Sequence, residues 1–229
     1  MSSSRVQETA AEYGKAATIA PAEQRVILHN ITWDTYVRLL EETGDNRRSR
    51  MAYDGETLEI MSPQRQHEAS NYLIGIMIFI LAEELELEMA GCGQLTCKRQ
   101  IAQKGLEPDS CFYIAHEAEV RGLDRIDLDL NHPPPDLMIE VDITHSSIDK
   151  LAICATLGVP EVWRYDGHTL RFFVLKGAIY KEAEESLAFP KLPLRSKIPE
   201  IIAHEPAVGE MKALREFRTW VKQQLEARK

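Results

Sequence analysis

Apolar and polar positions alternate along this chain with two periods, and the switches between them predict its elements. Over residues 31–44, Trp33, Tyr36, Val37 and Leu40 recur at helical spacing. They predict a helix with one apolar stripe, capped by Thr32, favoured by Asp34 at its positive end and closed by Gly44. Residues 51–61 alternate around Asp54-Gly55. That pair predicts a hairpin with a type I′ turn, which needs positive φ at both central positions. Ser62-Pro63 then opens a long helix to about Leu87, with proline tolerated at the first helical position. Its middle is apolar on every side, which predicts burial all round and a core role for Met77 and Phe79. Its first turn is polar: Gln64, Arg65, Gln66, His67 and Glu68.

Residues 92–99 and 108–115 read as strands, and 116–135 as an acidic loop that ends in prolines. Residues 136–143 form the strongest strand in the chain, and Thr144-His-Ser-Ser147 suit the cap of a helix over 148–157 closed by Gly158. Strands at 161–165 and 170–175 flank Asp166-Gly167, a second hairpin, and 179–183 extends their sheet. Pro190, Pro193 and Pro199 punctuate a linking stretch. From about Pro206 a helix carries Met211, Leu214, Phe217, Val221 and Leu225 on one face, with Arg228 and Lys229 at its negative end. This order predicts one α/β domain with a central mixed β-sheet flanked by helices. Residues 1–25 read as a flexible N-terminal arm and 26–205 as the domain. Residues 206–229 form a C-terminal helix that packs on the domain or on a dimer partner.

Composition removes several classes. The formal charge of −9 argues against non-specific wrapping of nucleic acid, which needs clustered Lys and Arg. The longest apolar run, residues 72–82, is too short for a bilayer span of roughly 20 residues. The N-terminus has no apolar core of a secretory signal. Four cysteines, Cys92, Cys97, Cys111 and Cys154, are too sparse for a disulfide-stapled fold, so a reducing cytoplasm is expected. Cys92 and Cys97 lack a second Cys/His pair at finger spacing, and no sequence context supports a Cys–His nucleophile.

The strand at 136–143 carries the chemistry. Leu137, Ile139, Val141 and Ile143 share one face; Asp136, Met138, Glu140 and Asp142 share the other. Three carboxylates on one strand face are costly unless water or a cation meets them. Oxygen ligands on rigid backbone suit Mg²⁺. Asp136 and Glu140 lie about 13 Å apart along the strand, too far for one ion, whereas Glu140 and Asp142 are only about 7 Å apart. Asp109, Glu68 and Lys150 are the other candidates. Lys150 stands out because a first-turn lysine opposes the helix dipole.

Taken in order, several motifs make the chain resemble the PD-(D/E)XK nuclease superfamily, and more closely its Uma-type putative restriction endonuclease family, abundant in cyanobacteria. They are Leu58-Glu-Ile-Met-Ser-Pro63 with His67-Glu68, Leu106-Glu-Pro-Asp109, Pro134-Pro-Asp-Leu-Met-Ile-Glu-Val141, Ser146-Ser-Ile-Asp-Lys150, and Ala155-Thr-Leu-Gly-Val-Pro-Glu-Val-Trp-Arg-Tyr-Asp166. The resemblance covers about residues 31–190 and implies a restriction-endonuclease-like fold and Mg²⁺-dependent DNA hydrolysis, with Mn²⁺ able to substitute. It implies that Asp109 and Glu140 hold the metal, helped by the Val141 backbone carbonyl, with Glu68 binding a second ion or water and Asp142 either a further ligand or merely a neighbour. It makes Glu68, Asp109, Glu140 and Lys150 the catalytic set. The chain departs from the family pattern where a lysine should follow the acid by two residues: Asp142 stands there, and Lys150 is the natural replacement. Asp136 is left as structural or as a support behind the metal ligands.

DNA would be the partner and a homodimer the assembly, since duplex cleavage needs two sites. Local cations for DNA are Arg47, Arg48, Arg50, Arg65, Lys98, Arg99 and Lys104. The missing lysine and the overall acidity favour an alternative, a catalytically inactive module of the same fold that binds DNA or a protein partner. A third possibility is a subunit whose DNA contacts come mostly from a partner.

Overall fold

A computed structural model describes residues 24–44, 47–143 and 148–228. The arm over 1–23 and the cap proposed at 144–147 lie outside those residues. Gln24 and Arg25, assigned to the arm by the sequence pattern, instead open β1 (Gln24–Leu28).

Two sheets form the scaffold. The first is antiparallel throughout, in the order β1-β3-β2-β6-β5, from β2 (Arg50–Tyr53), β3 (Leu58–Ser62), β5 (Cys97–Arg99) and β6 (Lys104–Leu106). The second is mixed, in the order β11-β10-β9-β8-β7-β4. Its strands are β4 (Ala90–Gly91), β7 (Ser110–Tyr113), β8 (Leu137–Val141), β9 (Glu161–Tyr165), β10 (Leu170–Lys176) and β11 (Ile179–Ala183). Only β8 and β9 pair in parallel among its described strands, joined by the crossover helix α4 (Lys150–Leu157). The expected mixed sheet is present, and a second sheet stands beside it.

The remaining helices are α1 (Trp33–Thr43), α2 (Arg65–Glu84), α3 (Glu117–Val120), α5 (Leu194–Val208) and α6 (Glu210–Glu226). Leu137, Ile139 and Val141 of β8 enter a core with α2, α5 and α6, while Met138 faces a second core with Ile153, Cys154 and Leu157 of α4. The alternation read from the sequence therefore holds. A smaller cluster joins Trp33, Tyr36 and Leu40 of α1 to Met51, Tyr53 and Leu58 of the first hairpin. No helix among the described residues is long and apolar enough to cross a membrane.

Local chemistry explains the differences from the expected boundaries. α2 starts at Arg65, not Ser62, because Ser62 is held in β3 opposite Gln24. Both hairpins have four-residue loops rather than a type I′ pair. Asp54 Oδ1 accepts from the amides of Glu56 and Thr57, and Asp166 Oδ1 from those of His168 and Thr169; each leaves only the glycine at positive φ. Asp149 caps α4, its carboxylate accepting from Ala152 N at 3.1 Å. The proline-marked stretch contains α5, with Pro199 and Pro206 inside it and Leu194, Ile198 and Ile201 buried beneath. α6 packs on α2 and α5 within the chain. Its Ala213, Leu214, Phe217 and Val221 are buried, but Met211 is exposed.

Candidate active site

β7 and β8 bring the two central acids together. Ser110 pairs with Ile139, so Asp109, one residue earlier, lies beside Glu140. Asp109 Oδ2 accepts the Val141 amide N–H at 2.6 Å, which ties the loop before β7 to the strand that carries Glu140. Lys150, the first residue of α4, donates from Nζ to Glu140 Oε2 at 2.5 Å. Asp109 is 1 % exposed and Glu140 3 %. Carboxylates so deeply buried need partners.

Those partners come from elements distant in sequence. Arg50 on β2 sets Nε 3.0 Å from Asp109 Oδ1 and Nη2 2.8 Å from Glu68 Oε1. His67 on the first turn of α2 places Nε2 3.1 Å from Asp109 Oδ2. Asn71, one helical turn on, donates to the Asp109 carbonyl at 3.1 Å and accepts from the Ser110 hydroxyl at 2.9 Å. Beside this cluster, Arg164 of β9 donates to Asp142 at 2.5 Å, and Arg25 of β1 bridges Glu59 at 2.8 Å and Asp142 at 3.5 Å.

The resulting electrostatics separate the two acids. Burial works to raise the Asp109 carboxyl, but His67, Arg50 and Lys150 outweigh it and hold it below the ordinary range. Burial pushes Glu140 up, Lys150 pulls against it, and the Asp109 charge pushes with it. Burial works to lower the Lys150 ammonium, yet Glu140 and Asp109 together raise it. Burial also works to raise Asp142, and Arg164 and Arg25 overcome it to hold that carboxyl low.

Of the residues singled out in the sequence, Asp109, Glu140 and Lys150 converge. Glu68 sits at the rim, its side chain 45 % exposed and bound to Arg50. Asp142 is engaged by two arginines, and Val141 contributes its N–H to Asp109. Asp136 turns elsewhere: its carboxylate accepts from the Ile114 and His116 amides and meets His116 Nδ1 at 2.6 Å. Sequence reading missed Glu59, Arg25 and Arg164, saw Arg50 only as a DNA contact, and took His67 as one polar residue among several. Glu59 had a local signal, a carboxylate between Leu58 and Ile60 in a hairpin strand; it is 1 % exposed.

No three His, Cys, Asp or Glu side chains among the described residues converge on a metal-sized point. One carboxylate oxygen there lacks a partner among those residues, the buried Glu140 Oε1, while Asp109 Oδ1 meets Arg50 Nε at 3.0 Å in an ion pair without hydrogen-bond geometry. Two neighbouring buried carboxylates, one with a free oxygen, are a donor set that Mg²⁺ can use, since it takes one or two carboxylates and fills its shell with water and phosphate. Asp109 and Glu140 therefore have the chemistry for such an ion, with Arg50 competing for Asp109. Glu140, Asp142, Lys150 and Arg164 line a cavity of about 290 Å³ that opens beside them. A larger hollow of about 580 Å³, around Arg47, Thr96 and Glu107, contains none of the three convergent residues. Cys97, Cys111 and Cys154 lie buried in the second core, and all four cysteines are free.

The Uma2 family model, described as "Putative restriction endonuclease", matches residues 33–202. The chain belongs to this family. Comparison with curated proteins finds no match. Among solved structures, the chain is similar to a putative nuclease belonging to DUF820 from Anabaena variabilis, with 16 % identity, a TM-score of 0.49, and coverage of 82 % of this chain and 99 % of that one. The Uma2 match spans every element that carries the Asp109–Glu140–Lys150 group.

Proposed function

We propose that this Uma2-family chain is a metal-dependent endonuclease that hydrolyses DNA phosphodiester bonds. One observation carries the reading: the buried Glu140 carboxylate, one oxygen unpartnered among the described residues and the other on the Lys150 ammonium, lines a cavity with that lysine and lies beside Asp109. Asp109 and Glu140 would hold Mg²⁺ or Mn²⁺, helped by the Val141 carbonyl, with Glu68 and Asp142 shaping the charge around them. When bound, the ion supplies a more acidic water and charge stabilisation at the scissile phosphate.

The chain's own residues do the rest. Arg50 and His67 keep Asp109 ionised and aimed, and the Val141 amide fixes its second oxygen. Lys150 holds Glu140 in place and presents a positive charge where the phosphate and attacking water meet. Arg164 and Arg25 neutralise Asp142, so the phosphate approaches a less negative wall.

The test is nicking and linearisation of plasmid DNA with millimolar Mg²⁺ or Mn²⁺. Asp109→Ala and Glu140→Ala should each lower the rate by about a hundredfold or more. Cleavage that survives both substitutions removes the site assignment. The Arg50–Asp109 ion pair favours the second reading, since that guanidinium already compensates a proposed metal ligand. If the chain neither cleaves DNA nor gains thermal stability with either ion, it is a binding module on a nuclease fold.

A further inference from the structure

We propose that the exposed face of α2 is the contact by which two copies of this chain pair, antiparallel, across a two-fold axis. The feature that demands an explanation is a helix apolar all round that is not buried all round. α2 packs against β8, α5 and α6. The remaining side leaves Tyr72 57 % and Phe79 52 % exposed, Phe79 resting one ring edge on Phe112 of β7 with centroids 6.1 Å apart, with Ala69 exposed and Ile76 partly buried between Tyr72 and Phe79. Scattered exposed apolar residues need no account, but a continuous helical line of them marks a contact.

The line has polar ends. Arg65, Ala69, Tyr72, Ile76, Phe79 and Glu83 follow one another at alternating spacings of four and three, so they share one helix face. Arg65 is exposed and makes no ion pair among the described residues. Glu83 is 67 % exposed and shared with Arg218.

The order along this line selects the occupant. Laid against a second copy of itself in the opposite direction, Arg65 meets the second copy's Glu83. Ala69 then meets Phe79, and Tyr72 meets Ile76. Each contact occurs twice, as a two-fold interface requires. Charge meets opposite charge, and the large Phe79 ring meets the smallest side chain of the line. The parallel arrangement would set Arg65 beside Arg65 and Glu83 beside Glu83. Met211 of α6, also exposed, lies outside this line. The pairing stands whether or not the site cuts DNA.

Sedimentation equilibrium of the full chain tests it. The mass should be about twice 26.0 kDa at tens of micromolar. Tyr72→Lys, at a ring mostly in solvent, should keep the circular dichroism spectrum and raise the dimer Kd by at least about tenfold. Arg65→Glu should weaken the dimer by about tenfold, and adding Glu83→Arg should restore it, with Arg218 still held by Glu84 at 2.7 Å. A wild type that stays monomeric overturns the proposal. So does a dimer indifferent to Tyr72→Lys, or a charge-swapped double variant as weak as the single one.

Discussion

At the scale of single residues, the site is a balance of buried charges. Glu140 is nearly inaccessible, and among the described residues its carboxylate has one hydrogen-bond partner, Lys150. Removing the ammonium strands a carboxylate in low dielectric, whereas removing both groups does not. Lys150→Met should therefore cost about 3–5 kcal/mol of unfolding free energy, and Lys150→Met with Glu140→Leu should recover most of it. Urea titration measures both. The pH dependence has a definite sign. The Glu140 carboxyl titrates above its unfolded value. A group raised on folding stabilises fully below its unfolded pKa and loses that contribution as pH rises through the folded one. The penalty of Lys150→Met should thus be small in mild acid and grow toward neutral pH. A penalty that is flat with pH would mean that Glu140 is neutral throughout.

At the scale of elements, what was legible followed from local rules. The apolar alternation of β8 exposed Glu140, and the two Asp-Gly pairs marked both hairpins. The elements missed owe their existence to distant partners. β1 forms because β3 offers it an edge, and α5 persists through two prolines because Leu194, Ile198 and Ile201 are buried. β6 was hidden by Gly105, a residue that disfavours strands. The glycine is required: a Cβ there would come within 2.5 Å of Tyr36 Oη and 2.9 Å of Lys98 Cβ. Gly105→Ala should cost about 1–3 kcal/mol by overpacking α1 against the first sheet. Thermal unfolding checks it, and an unchanged melting temperature would show that Tyr36 can give way. The same logic divides the site. Asp109, Glu140 and Lys150 lie in short motifs, whereas Arg50 and His67 reach Asp109, and Glu59, Arg25 and Arg164 gather around Asp142, only once five separate elements have folded.

At the scale of the whole molecule, the charge of −9 bears on how DNA can approach. Ten of the acids lie between Glu107 and Asp142, against only Arg121 and Arg125. Several cations that could have met phosphate are already occupied. Arg47 is bound to Glu107, Arg50 to Asp109 and Glu68, Lys98 to Asp129, and Lys104 to the Asp54 carbonyl. Binding that relies on few free cations releases few counterions, so affinity without metal should be low and only weakly dependent on salt. A divalent ion held by Asp109 and Glu140, as proposed, would change this locally. Duplex DNA should bind about tenfold more tightly in millimolar Ca²⁺, which supports binding without rapid turnover, than in EDTA. Fluorescence anisotropy separates two causes that a bare affinity would merge. Glu140→Gln removes one negative charge, so electrostatics alone should leave binding in EDTA equal to or tighter than that of the wild type. Loss of a metal ligand should abolish the Ca²⁺ response in the same variant. If Glu140→Gln keeps the full response, the ion is held elsewhere, and the acidity of this strand serves only its own arginines and lysine.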